Sequence, residues 1–106
     1  MEKMDLFIDL LRDVLAYANN ELSEIKNGHS SLWEKGLIED VVIPEMNELL
    51  EHALKGEIYI KNEARKRLLL TSYFMTDTLI NLEDTCLGKK VTALQELYTS
   101  LWSVSS

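Results

Sequence analysis

From Met4 to Ile25 the apolar side chains return at steps of three and four residues: Met4, Phe7, Ile8, Leu11, Val14, Leu15, Ala18, Leu22 and Ile25. That recurrence is the period of an α-helix with one buried face, and a helix so patterned must find neighbours to cover its stripe. The spacing predicts a first helix from about Met4 to Lys26. Asn27-Gly28 then stops it, because glycine takes the left-handed conformation that closes helix ends. Leu6, Leu10 and Tyr17 fall about 100° from the centre of the stripe. The apolar surface is therefore wider than one neighbour needs.

Three more helical stretches are legible behind the first. Ser31 and Glu34 stand at the spacing of a capping box, in which each side chain satisfies a free backbone donor of the other, and so predict a second helix start. Its apolar set (Ile38, Val41, Val42, Met46, Leu49, Leu50 and Ala53) keeps a helical period through Pro44. Proline deletes the bond to the Asp40 carbonyl and its ring crowds that oxygen, so a kink is expected between Val41 and Pro44. The competing arrangement is a short helical turn, a break, and a fresh helix with Pro44 in its first turn, where a missing donor costs nothing. Gly56 ends the element in both cases.

Residues 57–61 alternate polar and apolar around Ile58 and Ile60, a weak strand signal with no second strand to pair with. Asn62 is suited to N-cap a third helix reaching about Thr85 or Leu87, before Gly88. Leu68, Met75, Leu79 and Leu82 make one line on it, Leu69, Tyr73 and Ile80 a second, Leu70 and Phe74 a third. Apolar groups all round place such a helix centrally or at a shared surface. A fourth helix, about Lys90 to Trp102, carries Val91, Leu94, Leu97, Tyr98, Leu101 and Trp102 on one stripe, and Ser103 to Ser106 should fray. The expected fold is all-α, one domain spanning 1–106: an antiparallel bundle of about four helices, the second kinked near Pro44.

Charge divides this bundle along its length. Residues 1–54 hold 12 carboxylates against 4 Lys/Arg, a net −8, and residues 55–106 hold 6 against 7, a net +1. Lys61, Arg65, Lys66 and Arg67 concentrate the positive side. A formal charge of −7 repels a polyanion, and no basic recognition helix is present, so no nucleic acid is expected as partner. No apolar run approaches the roughly 18 residues of a membrane span, and the N-terminus lacks a secretion signal. A single cysteine forms no internal disulfide. Together these features point to a soluble cytoplasmic chain without a membrane partner.

Candidate chemistry is sparse. Glu45, Glu48 and His52 share a flank, yet the Glu-x-x-x-His spacing occurs once, whereas a carboxylate-bridged dimetal bundle needs Glu-x-x-His from each of two helices. His52 paired with Glu48 on the surface is the simpler reading, and His29 lies in the loop after Gly28. No metal or other cofactor is expected. Cys86, on the line of Leu68, Met75 and Leu79, reads as a buried, inert thiol. Thr71, Ser72, Thr76 and Thr78 read as hydroxyls bonding back to the carbonyl one turn earlier, and Asp77 as the possible edge of a polar pocket. Trp33 and Trp102 read as core or interface anchors. No Gly-rich phosphate loop and no Gly-x-Ser-x-Gly elbow occurs.

The sharpest feature is an acidic line on the first helix, Glu2, Asp5, Asp9 and Asp13, on the face away from Leu11 and Leu15. Like charges so spaced cost about 0.2 to 0.5 kcal/mol per pair, offset in part by the helix dipole and by Lys3 and Arg12. A solvated face explains such a line; so does docking of a basic protein. The expected partner-binding set is Asp5, Leu6, Asp9, Leu10, Asp13 and Tyr17 on the first helix with Glu34, Glu39, Asp40 and Glu48 on the second. The expected role is non-enzymatic: a small acidic inhibitor, immunity-type or adaptor protein that binds a basic protein. A homodimer using surplus apolar surface is the alternative, with a metal- or small-molecule-binding bundle behind it.

Overall fold

The first helix, α1 (Glu2–Lys26), buries the stripe that its period defines: Phe7, Leu11, Val14 and Ala18 are fully buried. Its end is a Schellman closure. Gly28 sits at φ +88°, its N–H donates to the Ile25 carbonyl at 3.0 Å, and the His29 N–H donates to the Glu24 carbonyl at 2.9 Å. These two bonds satisfy carbonyls that the helix leaves open. The computed structural model describes residues 2–57, 69–76 and 81–105, with side chains within 3–57, 69–76 and 81–101. Several expectations lie outside the described residues: the alternation around Ile58 and Ile60, the Asn62 cap, the cluster of Lys61, Arg65, Lys66 and Arg67, Leu68, Asp77, Thr78, Leu79, Ile80, and the side chains of Glu2 and Trp102.

The second helical stretch starts later than its capping-box spacing predicts. Glu34 precedes the first helical residue with no side-chain cap bond, and α2 (Lys35–Leu37) follows. Ser31 is engaged elsewhere: its hydroxyl donates to Glu21 Oε1 on α1 and accepts the Trp33 N–H at 3.0 Å. A π turn (Ile38–Val42) then leads into α3 (Ile43–Ala53), with Pro44 in its first turn. The backbone stays right-handed helical at Leu37, Ile38, Val42 and Ile43, so no break separates the pieces. Ile43 N–H reaches back five residues to the Ile38 carbonyl. Widening the turn before a residue that has no N–H to give is a recognised way for a helix to absorb proline. Gly56, at φ +79°, ends the element as expected: its N–H donates to Ala53 O and that of Glu57 to His52 O, each at 2.9 Å.

The expected third helix is not continuous, since Leu69 and Asn81 within its span are not helical. It comprises α4 (Leu70–Thr76), followed after residues 77–80 by a 3-10 turn (Leu82–Asp84). Helix α5 (Cys86–Ser105) starts at Cys86, ahead of the expected Lys90, and runs past Trp102 to Ser105. Thr85 is its N-cap. The Thr85 hydroxyl accepts the Gly88 N–H at 2.9 Å, accepts the Trp33 indole N–H at 2.9 Å and donates to the Leu82 carbonyl at 2.6 Å. One hydroxyl thus uses its donor and both lone pairs to tie three segments.

Two sequence expectations reverse here. Gly88 stops no helix; it is buried in the first turn of α5, where a Cβ would stand 1.8 Å from the Leu82 carbonyl oxygen. Glycine serves there for closeness of backbones. Cys86, at the first residue of α5, is exposed where a buried thiol is expected. The new helix start changes the face it occupies.

Among the described residues the fold is all-helical, with α1 packed against α3 and α5. Ile38, Val42, Met46, Leu49 and Ala53 meet Val91, Leu94, Tyr98 and Leu101 around the α1 stripe, and the Phe7 and Tyr98 rings stack at 5.9 Å. Trp33 is buried, as an anchor should be.

Candidate protein-binding surface

With its stripe committed to α3 and α5, α1 leaves Asp5, Asp9, Asp13, Leu6 and Tyr17 outward, on positions spanning about 120° of its circumference. All five are exposed, Leu6 by 55% and Tyr17 by 40%. Leu10 departs from expectation: it is partly buried against the core and adds little to the outer face. An exposed leucine and an exposed tyrosine between carboxylates combine apolar contact area with negative charge on one face.

The carboxylates are not equivalent. Asp5 and Asp9 are exposed and make no ion pair among the described residues, whereas Asp13 Oδ2 lies 3.4 Å from Lys90 Nζ of α5. The same ammonium stands 5.8 Å from the centre of the Tyr17 ring. Nearby, Lys3 Nζ donates to Ser100 Oγ at 2.9 Å. Beside Tyr17 is a shallow, open depression of about 180 Å³ lined by Ala16, Tyr17 and Asn20.

Among the acidic residues of the second stretch, Glu39 stands at the other end of α1 from Asp5. Glu34 and Asp40 are exposed, while Glu39 is half-buried with Oε1 3.6 Å from Lys26 Nζ, at the far end of α1. Lys26 is 21 residues beyond Asp5, about 31 Å along the helix axis. Glu48 is half-buried on α3. Of the ten residues expected to form one surface, Asp5, Leu6, Asp9, Asp13 and Tyr17 share the strip on α1, Leu10 lies partly in the core, and Glu39 stands at the Lys26 end.

Glu45 has a role that the flank with Glu48 and His52 does not suggest. It is 3% exposed, and its carboxylate accepts two backbone donors at the start of α4, Leu70 N–H at 2.6 Å and Thr71 N–H at 2.8 Å. Beside them Leu69 N–H donates to Gln95 Oε1 of α5 at 2.7 Å. A helix leaves its first four N–H groups open; here residues from two other elements close three backbone donors at its start. One signal was available in the sequence: Glu45 lies three residues after Val42 and four before Leu49, inside the apolar stripe.

Both histidines lie near a carboxylate. His52 Nδ1 is 3.7 Å from Glu57 Oε2, and His29 Nδ1 is 3.7 Å from Glu24 Oε2, both on the surface side of their elements. No group of three His, Cys, Asp or Glu among the described residues could hold a metal ion. Thr76 bonds back to the Ser72 carbonyl as expected, at 3.1 Å, but the Thr71 and Ser72 hydroxyls are buried without a hydrogen bond among the described residues. No helix among the described residues is long and apolar enough to cross a membrane. No protein-family model, no curated protein and no solved structure matches this chain.

Proposed function

We propose that this chain is a non-enzymatic interaction module, a small acidic inhibitor, immunity-type or adaptor protein that takes a basic protein partner on the outer face of α1. The observation that carries this reading is the pair of exposed carboxylates Asp5 and Asp9 beside the half-open Leu6 and Tyr17, on a helix whose other face is fully committed to the core. Exposed charge next to apolar area favours fast, charge-steered encounter followed by desolvation. The same reading takes the chain as one antiparallel bundle: Lys3 meets Ser100, Phe7 meets Tyr98 and Asp13 meets Lys90, so positions ascend on α1 as they descend on α5. It also places the bend of the second stretch at the π turn before Pro44, and the protein in the cytoplasm.

The test is association kinetics with the partner captured from the native host. Rates should fall about tenfold or more from low to high salt, and Asp5→Lys with Asp9→Lys should lower them about tenfold at low salt. Rates indifferent to both would sink the proposal. A homodimer is favoured by exposed Leu32, Leu54 and Phe74, which lie off α1. Sedimentation velocity at high protein concentration separates the two readings, since a strict monomer removes the dimer.

A further inference from the structure

We infer that Asp13 and Tyr17 form a seat for an arginine side chain of the basic partner, and that Lys90 occupies this seat in the isolated chain. The inference rests on the reading of α1 as the partner-binding face and names the chemistry that the face takes. Asp13 offers a carboxylate and Tyr17 an aromatic ring four residues on, one helical turn apart on the same side. A cation already sits between them: Lys90 Nζ is 3.4 Å from Asp13 Oδ2 and 5.8 Å from the Tyr17 ring centre. Asp5 and Asp9 have no such ring contact among the described residues, and Glu39 pairs with Lys26 at the other end of α1.

Lys90 is a weak occupant. Its side chain is 37% exposed and that of Asp13 52%, so the pair is screened and holds two flexible side chains for little gain. An ammonium is also a point charge, whereas a guanidinium is planar, forks onto a carboxylate through two N–H groups and stacks on an aromatic face. Arginine therefore suits the two groups better than the lysine that covers them. The depression lined by Ala16, Tyr17 and Asn20 adjoins the ring and gives the incoming side chain room for its stem. Leu6 lies on the same strip, eleven residues before Tyr17, about 16 Å away, within reach of the same docked segment. Exchange of one cation for another leaves the core untouched.

The probe is a capped Arg-Gly-Arg-Gly-Arg peptide, with its lysine counterpart, titrated into the intact chain and followed by NMR. The expected result is movement of the Tyr17 ring and Asp13 carboxylate signals, displacement of the Lys90 side-chain signals towards those of free lysine, and weaker effects from the lysine peptide. Lys90→Met should tighten arginine-peptide binding about two- to fivefold by removing the resident cation. Tyr17→Leu should weaken it by a similar factor. Signals that move only at Asp5 and Asp9, or a Lys90→Met affinity equal to the parent's, would overturn the seat while leaving the acidic face standing. A peptide that moves nothing on α1 would overturn both. Should Lys90→Met fail to fold, Tyr17→Leu decides, because that ring is largely outside the core: an unchanged affinity counts against the seat.

Discussion

Helix α1 and helix α4 solve the same problem by opposite means. α1 is 25 residues long and closes its own end through Gly28, with its fully buried side chains doing the packing. At α4, described over Leu70–Thr76, the donors at the start are met by Glu45 from α3 and Gln95 from α5. A long periodic helix carries its instructions locally. α4 begins on oxygen atoms held out to it by distant parts of the chain.

Breaking the first kind should cost the whole molecule. Phe7→Ala removes a fully buried ring stacked on Tyr98, and about 3 to 5 kcal/mol of stability should go with it. Denaturant melts by several probes should shift together. Gly88→Ala tests the seam between the two regions, because the added methyl would collide with the Leu82 backbone. The expected loss is about 3 kcal/mol, and a variant as stable as the parent would show that α5 can lift away from the 3-10 turn. Glu45→Gln sharpens the contrast most finely. The amide keeps one acceptor but turns a donor towards a backbone N–H, for a loss of about 1 to 3 kcal/mol. Amide exchange should quicken at Leu70 and Thr71 and stay unchanged in the middle of α1; equal acceleration in both would dissolve the distinction.

The same contrast explains what could be read from the sequence. The course of α1, its stop at Gly28 and the stop of α3 at Gly56 follow from periodicity and from one backbone conformation that glycine tolerates, so local rules suffice. Ser31 has the spacing of a cap, yet Glu21, ten residues earlier, takes its hydroxyl. The start of α5 depends on Thr85, whose other partner is Trp33, 52 residues away. Gly88 looks like a stop because a helix-ending glycine and a glycine that lets two backbones touch are alike in sequence. On the outer face of α1, the exposure of Leu6 and Tyr17 follows from their angle on the helix. The engagement of Asp13 by Lys90, 77 positions on, does not.

The π turn before Pro44 reaches further than the proline it accommodates. Buried residues Ile38, Val42 and Met46 recur at intervals of four, and on a regular α-helix each such interval would drift about 40° around the axis. A wider coil takes up part of that drift, and Glu45, whose carboxylate accepts the Leu70 and Thr71 amides, follows directly after it. The carboxylate on which α4 begins thus stands three residues beyond one loosened loop of backbone, some twenty-five positions before the amides it meets.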